Sequence, residues 1–318
     1  MQKERRHRWV WWLLMVFLIA LMATGCTKAV IEQLPDKSEV NVLLEWDATE
    51  QPMGMKFYFY PAEGESVGLI QAETSSEGYR GELGAGRYRV LAYNTDATGV
   101  QLSGMESYET AMVEAAMMPT RADGIALIAQ PSVLYSGTAV AVLEVRLFEP
   151  LHRNIVPKQL TRTLTLKFAT EKLAGVNSVE GELRGLFSSV MLATGEATTS
   201  AREQARQVGT RFSTPVVPAN TTVKVSYFGI LSPEEGAYKN EMPLTLKGDN
   251  GWEQTTTVDM TKVLTDIVSQ EQGGEYEFEM EDNIEIEVKP TPVGISASVV
   301  SWTRMGEGEG EFSYITYY

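Results

Sequence analysis

The sequence predicts an all-β protein built from two tandem β-sandwich domains, with one short helix in the second. Short runs with period-two alternation of apolar residues follow one another along the chain, and Gly, Pro, Asn and Asp turn signals separate them. Only one stretch shows the apolar spacing of an amphipathic helix. Many short strands with frequent turns are typical of sandwiches, in which two sheets bury their facing side chains.

Residues 1–25 have the features of a bacterial export signal. Four Lys or Arg residues lie within residues 1–8, the run Trp9–Met22 is entirely apolar, and small residues follow it. That run has 14 residues, fewer than the ~20 that a membrane-spanning helix needs. The sequence therefore predicts cleavage close to Cys26 rather than a transmembrane helix.

Cys26 directly follows the small residues, and this arrangement resembles the lipobox of bacterial lipoproteins. The usual Leu three residues before the Cys is replaced here by Ala23. The resemblance implies a diacylglycerol on the Cys26 thiol and attachment to the outer membrane through that lipid. The alternative is an ordinary signal peptide, but Cys26 is the only cysteine, and exported proteins rarely keep an unused thiol.

The expected domain organisation follows from this start. Residues 26–38 form a lipidated tether, residues 39–149 the N-terminal sandwich, residues 158–303 the C-terminal sandwich, and residues 304–318 a Gly/Glu spacer with a final strand. Glu149–Pro157, bounded by two prolines, is expected to be a linker loop.

In the first block, alternation predicts strands with Val40, Val42 and Leu44 on one face, and with Met55, Phe57 and Phe59 on one face of the next. The stretch Tyr79–Asn94 predicts two strands joined by a tight turn at Gly84 and Gly86. Glu106–Met117 fits either a short helix or an extended segment. The remaining strands are expected at 67–72, 125–128, 133–135 and 138–147.

In the second block, Arg162–Phe168 is a clean period-two strand, and Asp259–Gln270 is the predicted helix, capped by Asp259 or Thr261. Gly195–Gly209 has no large apolar face and is expected to be a long loop. The other expected strands lie at 179–190, 212–217, 222–231, 241–247, 252–258, 276–280, 284–288 and 295–302.

Composition excludes several classes of function. Without residues 1–25, the chain has 23 Lys or Arg and 41 Asp or Glu, a net charge of −18, so nucleic acid is not an expected partner. His152 is then the only histidine, which excludes a multi-histidine metal site and limits any Ser-His-Asp arrangement to a residue expected in a linker loop. The sequence predicts no catalytic residues, no metal site and no cofactor.

Acidic and aromatic residues still allow alternatives. Glu275, Glu277, Glu279, Glu285 and Glu287 alternate along predicted strands, so a solvated face explains them better than a glycosidase pair. Trp46, Trp252 and Trp302 could stack on sugar rings, although core packing is the expected role of each.

The order of features along the whole chain resembles the fimbrillin-like lipoproteins of Bacteroidales. This resemblance rests on the lipobox and tether, the corner Tyr79–Asn94, the run NTDATGVQLSGMESYET, the strand RTLTLKF and the closing segment ISASVVSW. The resemblance implies two transthyretin-like (Greek-key) sandwiches and a cell-surface role as anchor or accessory subunit of a fimbria, with subunits joined by strand addition. A surface glycan-binding lipoprotein is the alternative, and exposure of the three tryptophans would distinguish the two roles.

The C-terminal segment is the candidate partner strand. Residues 306–311 alternate Gly and Glu as a spacer, and 312–318 contain the strand-forming residues Phe312, Tyr314, Ile315 and Tyr317. This strand can fold back as an edge strand on its own second domain, or it can enter the sheet of a neighbouring subunit. The residues leave both possibilities open.

Overall fold

The computed structural model describes residues 36–46, 51–65, 68–119, 124–139, 141–170, 175–217, 221–233, 239–272, 281–292, 294–306 and 310–316. The described chain is predominantly β-structure, as predicted. The predicted export signal, Cys26 and the three acidic residues Glu275, Glu277 and Glu279 lie outside these ranges.

The N-terminal half forms two facing sheets. The first sheet has the order β11-β1-β4, and the second has the order β12-β9-β5-β2-β3, with β10 also paired to β5. The strands are β1 Lys37–Leu44, β2 Met55–Pro61, β3 Ile70–Thr74, β4 Gly78–Gly84, β5 Gly86–Asn94, β9 Tyr135–Thr138, β10 Leu143–Val145, β11 Leu151–Ile155 and β12 Lys158–Gln159. Between these sheets lies a core formed by the alternating residues that the sequence predicted, including Val40, Val42, Met55, Phe57 and Phe59.

The C-terminal half forms a second pair of sheets. One has the order β17-β13-β20-β21-β22 and the other the order β19-β18-β14-β16-β8. Their strands are β8 Ala126–Leu127, β13 Arg162–Ala169, β14 Val176–Arg184, β16 Val208–Pro215, β17 Thr221–Tyr227, β18 Glu241–Gly248, β19 Glu253–Asp259, β20 Glu281–Thr291, β21 Gly294–Gly306 and β22 Gly310–Thr316.

Strands from both halves meet in a small fifth sheet. It has the order β15-β7-β6, where β6 is Val100–Ser103, β7 is Met112–Ala115 and β15 is Ser189–Met191. The segment Glu106–Met117, which the sequence left open, is therefore a turn followed by a strand. Since β8 also pairs with β16, the first half of the chain contributes strands to the second sandwich.

The predicted linker is wrong over Leu151–Ile155. This segment is β11, which pairs in parallel with β1 and places His152 opposite Asn41. Pro150 and Pro157 lie on either side of the strand, where they remove no ladder hydrogen bond. The two prolines therefore mark the limits of a strand and do not indicate a loop.

The predicted loop at Gly195–Gly209 is also wrong in its middle. Thr199–Gln204 forms helix α1, a 3-10 turn follows at Ala205–Gln207, and the Thr198 hydroxyl accepts a hydrogen bond from the Ala201 backbone N–H. Ala201 and Ala205 lie four residues apart on one face and are both buried. A helix that buries only alanines lacks the large apolar residues by which an amphipathic stripe is recognised.

The predicted helix near Asp259 is confirmed as α2, Thr261–Gln272. The carboxylate of Asp259 accepts a hydrogen bond from the Thr261 N–H at 2.9 Å, as expected for an N-terminal cap. Hydrogen bonding to Thr261 lowers the pKa of Asp259, because it favours the ionised carboxylate.

The corner between β4 and β5 carries the chain from the first sheet to the second. Gly84 ends β4 and Gly86 begins β5, so the turn lies where it was predicted. The fully buried Tyr88 donates its hydroxyl hydrogen bond to the carbonyl of Gly84 at 3.0 Å. This arrangement is a tyrosine corner, in which a buried hydroxyl reaches back to backbone a few residues upstream.

We predict that Tyr88→Phe lowers the free energy of unfolding by about 1 kcal/mol, because the substitution removes this buried hydrogen bond and leaves the ring in place. Urea denaturation measures the change. Tyr79→Phe is the matched control: its hydroxyl donates to the Glu82 carbonyl at a longer 3.4 Å, so the loss should be smaller. Equal losses for the two variants would contradict a special role for the corner.

Candidate interaction site

The C-terminal strand β22 lies at one end of its five-stranded sheet and pairs antiparallel with β21. Trp302 is opposite Ile315, and Thr303 is opposite Tyr314. Phe312 falls at a register shift between these strands, and Tyr317 lies outside the described residues. The backbone thus adopts the first of the two predicted arrangements, while entry into a neighbouring sheet stays a prediction.

Trp302 fixes the position of β21 and therefore of the strand that pairs with it. Its side chain is fully buried, and its indole N–H donates to the Asp282 carboxylate at 3.0 Å. Asp282 belongs to β20, on the opposite side of β21 from β22. A large buried ring with a hydrogen-bonded polar atom specifies one orientation of its strand.

In the same sheet, strand β20 presents an acidic face to solvent. Glu285 is exposed and accepts a hydrogen bond from Ser301 at 3.0 Å, while Glu287 is half-buried and pairs with Lys289 at 2.6 Å. Ile284, Ile286 and Val288 alternate with them and are buried. For the two acids inside the described ranges, the predicted solvated face is confirmed.

The three tryptophans have three different environments. Trp302 is a core residue, as expected. Trp46 is half-buried, donates to the Ser76 carbonyl at 2.7 Å and meets Tyr135 edge-on. Trp252 is 42% exposed in the turn before β19. Only one of the three predicted sugar-stacking candidates is therefore on the surface, which does not make a shared aromatic platform.

His152 is exposed on β11, with its Nδ1 atom 3.4 Å from the amide nitrogen of Asn41. No group of three or more His, Cys, Asp or Glu residues that could hold a metal ion occurs within the described ranges. Across the same ranges, no helix is long and apolar enough to cross a membrane.

A cleft of about 290 Å³, lined by residues between Lys158 and Val268, is a feature that the sequence analysis missed. Lys158, Arg162 and Arg202 line it together with Phe187, and the Arg202 guanidinium lies 5.2 Å from the centre of that ring. Glu196 also lines the cleft, so three cations and one acid surround the opening, and this net positive charge can hold an anionic group. Lys158 and Arg162 are four residues apart, but Arg202 and Phe187 come from distant segments, so no single local motif marks the cleft. A search for basic residues in an acidic chain is the only sequence signal available.

Comparison with known proteins gives a family and relatives. The profile of a domain of unknown function, DUF5119, matches residues 25–206. A Bacteroides ovatus (strain ATCC 8483) protein, provisionally named fimbrium anchoring subunit Fim4B, is 26% identical over 190 residues. These residues are 57% of this chain and 56% of the relative, so the chain spans just over half the length of that curated protein.

Solved structures share the fold. One is a Bacteroides ovatus ATCC 8483 protein provisionally described as an adhesin, with a TM-score of 0.57 and 18% identity, covering 85% of this chain and 95% of that one. Another, from Bacteroides thetaiotaomicron VPI-5482, is provisionally described as a polysaccharide binding protein (DUF1812), with a TM-score of 0.54 and 12% identity over 85% of this chain and 96% of that one. At these identities the likeness establishes the common architecture alone.

Proposed function

Because the chain belongs to the DUF5119 family and is similar to a protein named as a fimbrium anchoring subunit, we propose that it is a non-enzymatic anchor or accessory subunit of a cell-surface fimbria. The similarity to Fim4B carries this proposal. In this role the protein is held in the outer membrane by lipid on Cys26, and its partners are other fimbrial or surface subunits.

The edge strand β22 supports a strand-mediated contact. A strand at the end of a sheet has one side paired and presents backbone N–H and C=O groups on the other, so it can recruit a strand from another chain. Within the described residues β22 pairs with β21 alone and is joined to it through residues 307–309, so only one strand ladder has to break for β22 to leave its place. We propose that Phe312, Tyr314, Ile315 and Tyr317 form the exchanged strand.

The proposed role is non-enzymatic, and the surroundings of His152 support this part of the proposal. It is the only histidine beyond the predicted export signal, it is exposed on β11, and the described group at its Nδ1 atom is the Asn41 amide rather than Glu39 or Glu82, which line the same depression. A general base in a Ser-His-Asp arrangement needs a carboxylate to orient it.

Lipid attachment gives the first prediction for this role. Cys26→Ala should abolish incorporation of a palmitate analogue and release the protein from membranes, because several acyl chains on one residue supply the anchor at ~0.8 kcal/mol per buried methylene. Ala23→Leu, which restores the usual lipobox residue, is the matched control and should be labelled at least as well as the wild type. An unlabelled wild-type protein would contradict the anchor.

Strand exchange gives the second prediction for this role. Thr303 and Tyr314 lie opposite each other, so the double variant Thr303→Cys/Tyr314→Cys should form a disulfide that holds β22 on its own sheet. If β22 enters a partner, the oxidised protein should lose co-purification of fimbrial subunits from detergent-solubilised membranes, and reduction should restore it. Thr303→Cys alone is the control for the substitution.

Deleting residues 312–318 completes that test. The deletion removes the pairing with β21, so we expect lower stability together with loss of partners. Partner capture that survives both the oxidised disulfide and the deletion would contradict a role of this strand. Loss on deletion but not on oxidation would instead show that β22 stays in place and receives a partner strand.

A further inference from the structure

The turn Arg146–Glu149 presents two large apolar residues to solvent. The Leu147 side chain is 41% exposed and that of Phe148 is 60% exposed. Glu149 N–H donates to the Arg146 carbonyl, closing the turn, and Phe148 has φ = +64° at its third position. That conformation ordinarily belongs to Gly or Asn, and a bulky residue there is an outlier that points to function.

This apolar turn lies beside the point where the chain enters the fold. Ser38 in β1 donates its hydroxyl hydrogen bond to the Arg146 carbonyl at 2.7 Å. The strand register also places the turn close to the start of β1. Lys37 lies opposite Gly84 and Val145 lies opposite Gly86, and these two glycines are the two sides of the β4–β5 corner. Phe148 follows Arg146 by two residues, so its Cα lies within about 7 Å of the Arg146 Cα.

Eleven peptide steps separate Cys26 from Lys37, a distance of at most about 40 Å even when fully extended. A lipid on Cys26 therefore limits the distance between the Lys37 end of the fold and the membrane surface to about 40 Å. We propose that Leu147 and Phe148 insert into the lipid surface as a second membrane contact beside the lipid on Cys26; this inference rests on the lipid anchor proposed above.

The chemistry of the turn fits a lipid surface better than a protein partner. An aromatic and a branched aliphatic side chain on a polar-flanked turn suit the boundary between headgroups and acyl chains. Arg146 pairs with Glu144 at 3.1 Å and with Glu149 at 3.8 Å, so one shared cation reduces the charge of the two acids that flank the apolar pair to a net −1. Two exposed side chains are too few for a protein interface, which buries roughly 800 Å² on each partner.

The test uses the lipidated full chain with a single introduced thiol. Acylation consumes the thiol of Cys26, so Phe148→Cys supplies the only free cysteine for an environment-sensitive fluorophore. Met53→Cys is the matched control, because Met53 is 87% exposed and lies far from the turn along the sheet. It stands two residues before Met55, which pairs with Asn94 at the end of β5 opposite to Gly86. Both proteins are reconstituted into phosphatidylcholine vesicles with and without a nitroxide-bearing lipid, and flotation is recorded in the same samples.

We expect both proteins to float and the nitroxide lipid to quench the label at 148 several-fold more strongly than the label at 53. Equal quenching at the two positions in floating protein would overturn the membrane contact and leave the lipid anchor intact. Protein that fails to float would overturn the anchor and this inference with it. A label at 148 that is shielded from water but insensitive to the nitroxide lipid would show a protein contact and also overturn the proposal. If Phe148→Cys does not fold, Leu147→Cys replaces it.

Discussion

The structure depends on the burial of both faces of strands β2 and β5. Phe57 and Phe59 of β2 pack into the first core, while Tyr58 and Tyr60 of the same strand belong to a second cluster. β5 divides in the same way, with Val90 in the first core and Leu91 and Tyr93 in the second. The sheet they share is therefore a middle layer, and removing either neighbouring layer would expose large apolar side chains to water.

Polar groups on that second face are satisfied within the protein. The Tyr60 hydroxyl donates to the Met105 carbonyl at 3.0 Å, and burial raises the pKa of Tyr60 and of Tyr93, because the charged phenolate would lose its hydration. Tyr58 stacks on both tyrosine rings, at 5.7 Å from Tyr60 and 6.0 Å from Tyr93. Tyrosine supplies apolar area and a bonded hydroxyl together, so it suits a layer that joins two sandwiches.

The same second cluster contains Val113 of β7 and reaches Leu183, Leu244 and Ile286 of the C-terminal sheets. Together with the mixed sheet β15-β7-β6 and the β8–β16 pair, it makes residues 37–318 one compact unit. In the proposed role, with lipid on Cys26 and a partner strand at β22, this continuity means that a force applied at either end acts on a single core rather than on a flexible hinge.

Local patterns in the sequence predicted the elements whose causes are local. Alternation located β1, β5 and β13, the Gly84–Gly86 pair located the corner, and Asp259 located the start of α2. The features that the sequence analysis missed depend on long-range contacts or on small residues. β11 is a strand because β1 offers an edge, and α1 buries only the small residue Ala201. The continuous apolar runs Phe57–Tyr60 and Val90–Tyr93 did contain a signal for burial on both faces, which alternation alone obscured. No local pattern places Phe148 in a turn position suited to glycine.

The central claim is that the two sandwiches form one cooperative unit through the shared middle layer. Differential scanning calorimetry of the chain from residue 26 to 318 tests it most directly. The account predicts a single transition whose calorimetric and van't Hoff enthalpies agree, because neither half can unfold without exposing the Tyr58–Tyr60–Tyr93 face. Two resolved transitions, each with its own melting temperature, would contradict it.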